Sequence, residues 1–230
     1  MHRQRGIRRK LEVLPYFVGD EWRTPVPGVA ARGRPYFAFA GRLVKEKGLD
    51  SLIPLMRRLP GVELLIAGGG PYEGELRRMA RGMDNVEFLG YLRFEQLRKL
   101  YAGARALVAP SRMVETFGYV VLESHATGTP AIVPDLGGIA DVVRTSGGGL
   151  IYGSGEELLE ALRRLAGDDR LRKELGERAR NAVDLHWTEE QHIARYLSYA
   201  GVGGHAAPTG SGRSGQGTGS ALPRGRAGMS

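Results

Sequence analysis

The stretch "VELLIAGGGPYEGELRRMARGM" (residues 62–83) combines an apolar run, three consecutive glycines and an amphipathic pattern. A short apolar run that is stopped by glycine is typical of a buried strand, and the spacing of Leu76 and Met79 is typical of a helix. The stretch therefore predicts a strand, a tight turn and a helix.

The same order recurs along the chain. Further short apolar runs are "YFAFAG" (36–41), "VEFLG" (86–90), "ALVAP" (106–110), "AIVP" (131–134) and "GLIY" (149–152). Helical patterns lie between them, and three more helices are predicted from about residue 156 to 199. Near-continuous apolar strands that alternate with helices indicate a parallel sheet covered on both faces. We therefore predict a doubly wound, Rossmann-like α/β domain.

The sequence divides into three parts. Residues 1–34 form a basic start, one short predicted strand and a Pro-rich linker, and residues 35–200 form the predicted domain. Residues 201–230 contain ten glycines and little to bury, so we expect this tail to be disordered.

Composition excludes several classes of function. The chain has no cysteine, which excludes disulfides and Cys-based zinc sites and fits a reducing cytoplasm. The net charge of +8 comes entirely from residues 1–10 and 201–230, while residues 11–200 are balanced. We therefore expect no specific nucleic-acid partner. The basic N-terminus would allow only a weak peripheral contact with acidic lipid at the inner face of the membrane.

Ligands of doubly wound sheets bind at the carboxyl ends of the strands, so the loops there carry the functional prediction. In "GRLVKEKG" (41–48), Arg42, Lys45 and Lys47 precede a helix expected to begin near Leu49. Basic side chains beside helix amides favour an anion. Taken alone, the loop is explained slightly better as a solvated basic loop that Glu46 partly neutralises.

The glycines of "AGGGPYEG" (67–74) resemble a dinucleotide fingerprint, which would indicate an oxidoreductase. The loop follows the second strand, and no acidic residue ends the next strand to bind a ribose. A tight turn with a modest ligand role, in which Pro71 opens the next helix, explains the pattern better.

The stretch "ETFGYVVLE" places Glu115 and Glu123 on either side of seven uncharged residues. A fully helical segment would separate their Cα atoms by roughly 12 Å, which is too far for the carboxylate pair of a glycosidase. We expect a helix to begin at Gly118, so that its amides lie between the two acids. This arrangement suits a ligand with hydroxyls at both ends and phosphates between them, such as a nucleotide sugar.

The next loop, "PDLGGIADVV" (134–143), contributes Gly137 and Gly138 to the same predicted cleft. Asp135 or Asp141 is expected to cap the helix that follows.

Taken in order, "GRLVKEKG", "IAGGGP", "VEFLGY", "PSRMVETFGYVVLESHATGTPAIVPDLGGIADVV" and "GLIY" resemble the donor-binding half of retaining GT-B glycosyltransferases of the family-four type. The resemblance covers roughly residues 12–200. It implies a nucleotide-diphospho-sugar as donor substrate, no metal and no other cofactor, and transfer with retention of anomeric configuration.

The resemblance also implies roles by position. Arg42 and Lys47 match a basic pair that holds the diphosphate, and Glu115 matches the acid that faces the donor sugar; these three are the predicted catalytic residues. Glu123 matches the acid that binds the ribose hydroxyls. The remaining predicted donor-binding residues are Gly41, Gly69, Tyr91, Leu92, Phe117, Gly118 and Tyr119, with Tyr91 and Leu92 beside the base and Phe117 and Gly118 offering amides.

Two departures from the family pattern leave alternatives open. The family helix usually reads Glu-Ala after the seven-residue gap, whereas this sequence reads "ESHA", with Ser124 and His125. We interpret His125 as a packing variant. The acceptor-binding N-terminal half of the family is not matched, so we predict a separate N-terminal half as a partner. The alternatives are a non-catalytic nucleotide-sugar-binding module, a truncated fragment and a sugar-nucleotide epimerase.

Overall fold

The computed structural model describes residues 13–28 and 33–201. The basic N-terminus of residues 1–12 and the glycine-rich tail of residues 202–230 lie outside the described residues, and so do the predictions made for them.

The described residues form one six-stranded parallel sheet, which confirms the predicted fold class. Its strands are β1 (Tyr36–Ala40), β2 (Glu63–Ala67), β3 (Val86–Gly90), β4 (Leu107–Val108), β5 (Ala131–Pro134) and β6 (Gly149–Tyr152). The spatial order is β3-β2-β1-β4-β5-β6. The winding direction reverses between β1 and β4, and a crevice opens at such a switch point, beyond the carboxyl ends of the two strands.

Helices cover both faces of the sheet. They are α1 (Asp20–Arg23), α2 (Leu49–Met56), α3 (Glu73–Met79), α4 (Phe94–Gly103), α5 (Tyr119–Ala126), α6 (Gly137–Ser146), α7 (Gly155–Gly167), α8 (Asp169–His186) and α9 (Glu189–Ala200). One apolar core lies between the sheet and α4, α5, α6 and α8, and the other lies under α2, α3 and α7. Side-chain caps from Ser154, Asp168 and Thr188 start the last three helices.

The segment before β1 differs from its prediction. The described residues 13–28 contain no strand; they contain an isolated bridge from Val18 to Thr188 and the one-turn helix α1. Val18 and Trp22 are buried in the first core, so this part of the expected linker packs as an integral layer of the domain. The two buried side chains stabilise the segment, so it holds its place without the alternating apolar pattern of a strand.

The loops that follow β1 and β4 are tied together at the switch point. The N–H of Arg112 donates to the carbonyl of Glu46 at 2.8 Å. Gly48 has φ 72°, and a Cβ there would lie 2.0 Å from the carbonyl oxygen of Pro110. Only glycine fits this contact. A 3₁₀ turn (Lys45–Lys47) is therefore held rigidly against the loop that carries Glu115.

Candidate functional site

Two cavities open at the carboxyl end of the sheet, one on each side of the helix that follows β4. The first cavity has a volume of about 330 Å³, and the second has about 600 Å³. The first is lined by Ala40, Gly41, Arg42, Ala67, Gly68, Gly69, Tyr91, Leu92, Leu97, Tyr101, Val120 and Glu123. The second is lined by Tyr16, Lys47, Met113, Val114, Glu115, Thr116, Phe117, Gly118 and Tyr119.

The first turn of α5 separates the two cavities. Tyr119 lines the second cavity, and the next residue, Val120, lines the first. The helix begins at Tyr119 after Gly118, as the sequence predicted. Every residue predicted to be catalytic or donor-binding therefore lines one of the two cavities, and these residues follow a path across the end of α5. Gly137 and Gly138, which were expected to line the same cleft, line neither cavity, because they pack against the backbone of Glu115 and Thr116.

Glu123 lies in the first cavity, where it is largely buried. The hydroxyl of Tyr101 donates to its Oε2 atom at 3.1 Å. Burial is the dominant influence and raises the pKa of Glu123 to about 7, while the Tyr101 hydrogen bond acts in the opposite direction. Near neutral pH this carboxyl group is poised between its neutral and ionised forms.

Glu115 lies in the second cavity and forms an ion pair with Lys47. The Nζ atom of Lys47 lies 2.9 Å from Oε1 of Glu115, and the two side chains are 26% and 14% exposed respectively. The N–H of Gly138 donates to the backbone carbonyl of Glu115 at 2.8 Å, which fixes the loop against α6. A cation and an anion that were predicted to bind different parts of one ligand thus neutralise each other here.

Arg42 lies on the wall of the first cavity and is exposed. It makes no ion pair with any residue in the described part of the chain, in contrast to Lys47. Lys45 is also exposed, but it lines neither cavity. The basic loop thus directs one cation to each cavity and leaves a third in solvent.

Gly118 supplies the sharp turn into α5. Its φ of 87° lies in the left-handed region, and a Cβ would lie 2.7 Å from Cγ1 of Ile139. Among the described residues, no acceptor is recorded for the N–H groups of Phe117 and Gly118. Free amides before a helix N-terminus favour an anion at this point, between the two cavities.

The glycine loop after β2 is explained mainly by backbone packing. A Cβ at Gly68 would lie 1.9 Å from the carbonyl oxygen of Gly41, and one at Gly70 would lie 2.4 Å from that of Leu43. Gly69 lines the first cavity and is free of such contacts. Pro71 was expected to open α3, but that helix begins two residues later, because the N–H of Tyr72 bonds to Leu43 in the neighbouring loop.

His125 has a structural role, as its interpretation as a packing variant implies. It is fully buried, and its ring nitrogens lie 3.3 Å from the carbonyl oxygen of Thr129 and 3.1 Å from Oγ of Ser146. Burial lowers its pKa to about 4. It therefore stays neutral at physiological pH and lines neither cavity.

The predicted cap on α6 is wrong. Leu136 occupies the N-cap position, and no side chain caps the helix. Both candidate caps, Asp135 and Asp141, instead pair with Arg144. The ion pairs to one guanidinium hold both carboxylates away from the helix amides.

Two site residues were missed from sequence. Tyr101 looks like an ordinary core residue of an amphipathic helix, and its contact with Glu123 joins residues far apart in the chain. Tyr16 lies in the segment interpreted as a strand and linker, yet its ring lies 5.5 Å from Phe117 and 6.5 Å from Tyr119, measured between centroids. No local pattern would have indicated either contact.

Within residues 13–28 and 33–201, no group of three or more His, Asp or Glu side chains is arranged to hold a metal ion. No helix in this part of the chain is long and apolar enough to cross a membrane.

The family of this chain is shown by its match to a known protein family. The family model for glycosyl transferases group 1 matches residues 20–182. The chain belongs to this family. The match covers all of the predicted catalytic and donor-binding residues, so their path lies within the family's shared region.

Relatives and solved structures agree with this assignment. The chain is 36% identical over 168 residues to a GDP-mannose-dependent monoacylated alpha-(1-6)-phosphatidylinositol monomannoside mannosyltransferase of Corynebacterium glutamicum, covering 68% of this chain and 44% of the relative. Its fold matches sucrose-phosphate synthase from Thermosynechococcus elongatus with a TM-score of 0.75 and 25% identity, covering 87% of this chain and 55% of that one. HepE of Anabaena, solved with UDP and glucose, matches in fold with a TM-score of 0.65 and 23% identity, over 72% of this chain and 48% of that one. The chain thus spans about half the length of these proteins.

Proposed function

We propose that this chain is the donor-binding half of a retaining glycosyltransferase whose donor is a nucleotide-diphospho-sugar. The observation that carries the proposal is the position of α5, whose first turn has one cavity on each side. An extended donor fits across this turn, with its nucleoside in the first cavity, its diphosphate at the helix N-terminus and its sugar in the second cavity.

In the first cavity, Glu123 accepts hydrogen bonds from the ribose hydroxyls. Its Oε2 atom already accepts one from Tyr101, which orients the carboxyl group. Tyr91 and Leu92 border the same cavity beside the space for the base. Tyr91 is 89% exposed, so its ring is available to stack on a base.

The diphosphate lies between the two cavities. Arg42 approaches it from the first, Lys47 approaches from the second, and the amides of Phe117 and Gly118 point toward it from α5. When the bond between the anomeric carbon and the diphosphate oxygen breaks, its electron pair leaves with the diphosphate. The acceptor hydroxyl oxygen forms the new bond to that carbon and gives up its proton to the departing diphosphate. The cations and amides stabilise that charge, so the reaction needs no metal ion.

In the second cavity, Glu115 faces the hydroxyls of the sugar. Retention of anomeric configuration is proposed from the resemblance of the ordered motifs to family-four enzymes. The relatives point to different donors, because the mannosyltransferase is named as GDP-mannose-dependent and HepE was solved with UDP-glucose. We leave the base open between UDP, GDP and ADP.

We also propose that the acceptor is held by an N-terminal half of the kind that completes these enzymes. The matched relatives are about twice as long as the region of similarity. Transfer requires an acceptor oxygen held against the sugar in a site that excludes water. A non-catalytic binding module is the alternative, and a transfer assay with a cognate N-terminal half supplied would distinguish the two.

Calorimetry with UDP, GDP, ADP and their sugar conjugates, in EDTA, tests the proposal. We expect Arg42→Ala to weaken nucleoside diphosphate binding about tenfold, because a charge-assisted contact contributes about 1.5–3 kcal/mol. Lys45→Ala is the matched control, since it removes the same charge from the same loop without touching a cavity; we expect less than a twofold change.

Equal effects of Arg42→Ala and Lys45→Ala would show that the loop acts only through general charge. Binding that requires added magnesium would contradict the metal-independent site.

A further inference from the structure

We propose that Glu115 makes the site discriminate against the free nucleoside diphosphate by neutralising Lys47 whenever no sugar is bound. This inference rests on the proposed function and concerns the same site. It assigns to Glu115 a role in selecting the donor over the product, in addition to contacting the sugar.

The geometry of the second cavity carries the inference. Nζ of Lys47 and Oε1 of Glu115 are 2.9 Å apart, and both side chains are mostly shielded from solvent. Glu115 is the acidic partner of Lys47 within the described residues. The neighbouring acid, Glu46, is exposed and makes no recorded ion pair with Lys47.

The pair is held in place by backbone contacts on both sides. Gly138 binds the carbonyl of Glu115, and Arg112 binds the carbonyl of Glu46 in the turn that carries Lys47. Neither backbone segment can move away freely, so a ligand has to compete with the ion pair where it stands.

A free nucleoside diphosphate competes poorly with Glu115 for Lys47. To bind its phosphate, Lys47 must leave Glu115, and a shielded carboxylate then remains without a partner and close to a second negative charge. Breaking a shielded pair by removing one partner is unfavourable for this reason.

A nucleotide sugar competes better. It brings the same diphosphate to Lys47 and also brings sugar hydroxyls, which can donate hydrogen bonds to Glu115. The carboxylate exchanges a cation for hydroxyl donors and is not left unpaired. A ligand that leaves a buried polar group of the site without a partner binds more weakly, and this is a general source of specificity.

The same contact aids turnover. After transfer the sugar has left, the hydroxyl donors are gone, and Glu115 again attracts Lys47 away from the diphosphate. The product is thereby bound more weakly than the donor.

Calorimetry at low ionic strength on the 230-residue chain tests the inference. The probes are GDP and UDP, and GDP-mannose and UDP-glucose. We expect Glu115→Gln to bind the better of the two free diphosphates about threefold to tenfold more tightly than the wild type, because Lys47 is released. The same variant should bind the corresponding nucleotide sugar more weakly.

Glu46→Gln is the matched control, because it removes one negative charge from the adjacent turn and leaves the pair intact. It should change the affinity for the free diphosphate by less than about twofold. In a Lys47→Gln background, the gain from Glu115→Gln should fall toward the value of this control. Melting temperatures establish that the variants fold. Glu115→Ala is a second variant that should also bind the free diphosphate more tightly than the wild type.

Unchanged or weaker binding of the free diphosphate by Glu115→Gln and Glu115→Ala would overturn the inference. The proposed function would survive that result if the wild type binds both probes and Arg42→Ala weakens them. Failure of the wild type to bind any of the four probes would overturn both.

Discussion

Glu115 and Glu123 lie on either side of the same short helix start, yet the fold gives them opposite surroundings. Glu115 is paired with a cation that comes from the loop after β1. Glu123 has a phenol as its partner and is buried enough to raise its pKa to about 7. Two identical side chains thus acquire different chemistry from their neighbours alone.

The difference follows from the positions of the two cavities. The second cavity lies over the switch point, where the loops after β1 and β4 bring a lysine to Glu115. The first cavity is bounded by α4 and α5, whose packing brings Tyr101 to Glu123. One carboxylate thus has a cation as its partner, and the other has only a phenol and a pKa raised to about 7 by burial.

The largest expected effect on stability comes from a substitution that displaces the turn carrying Lys47, which lines only the second cavity. Gly48→Ala should reduce the free energy of unfolding by about 2–4 kcal/mol, because alanine is strained at φ 72° and its Cβ would collide with the carbonyl oxygen of Pro110. The displaced turn should also move Lys47 away from Glu115. Chemical denaturation measures the stability, and calorimetry measures the loss of donor affinity.

Gly74→Ala serves as the control for that experiment. Gly74 lies in α3 with no atom near its expected Cβ, so the substitution should be neutral or stabilise the chain by up to about 1 kcal/mol. Equal destabilisation by both substitutions would show that the contact with Pro110 does not hold the turn.

A somewhat smaller effect should distinguish Glu123 from Glu115 by the pH dependence of the free energy of unfolding. The folded-state pKa of Glu123 is raised from 4.5 to about 7, so the folded protein binds this proton more tightly than the unfolded chain. Stability is therefore lost as pH rises from 4.5 through 7. Glu123→Gln should be more stable than the wild type above pH 7, by at most about 3 kcal/mol, with no such gain below pH 4.5.

Denaturation curves from pH 4 to pH 8.5 measure this difference. Glu115→Gln is the comparison variant, and it should show no comparable gain above pH 7 because it removes the partner of Lys47. Parallel stability curves for the wild type and Glu123→Gln across the whole range would contradict the account of the first cavity.

The sheet and its helices could be predicted because each is encoded locally. The strands are near-continuous apolar runs, and helices such as α7 carry a clear apolar stripe. The segment of residues 13–28 could not be predicted, because two buried side chains hold it in place and no periodic pattern marks them. The prediction of a cap on α6 failed because Arg144, in the same helix, forms ion pairs with both aspartates, and the capping pattern does not show this competition.

For the site, the sequence supplied the residues but not their partners. The pair of Lys47 and Glu115 joins residues 68 positions apart, and Tyr101 reaches Glu123 across two helices. The raised pKa of Glu123 depends on burial, which a sequence motif does not contain. The roles of the predicted residues in donor binding remain predictions.

Backbone amide NMR of the 230-residue chain tests whether the donor spans both cavities across α5. Spectra are compared for the free diphosphate and for the matching nucleotide sugar, using whichever of GDP-mannose and UDP-glucose binds better. Both ligands should shift amides around Gly41, Gly69 and Tyr91, and also those of Phe117 and Gly118 at the diphosphate. Only the nucleotide sugar should add shifts at residues 113–116, which line the second cavity. Identical shift patterns for the two ligands, or sugar-dependent shifts confined to the first cavity, would contradict a donor that spans both cavities.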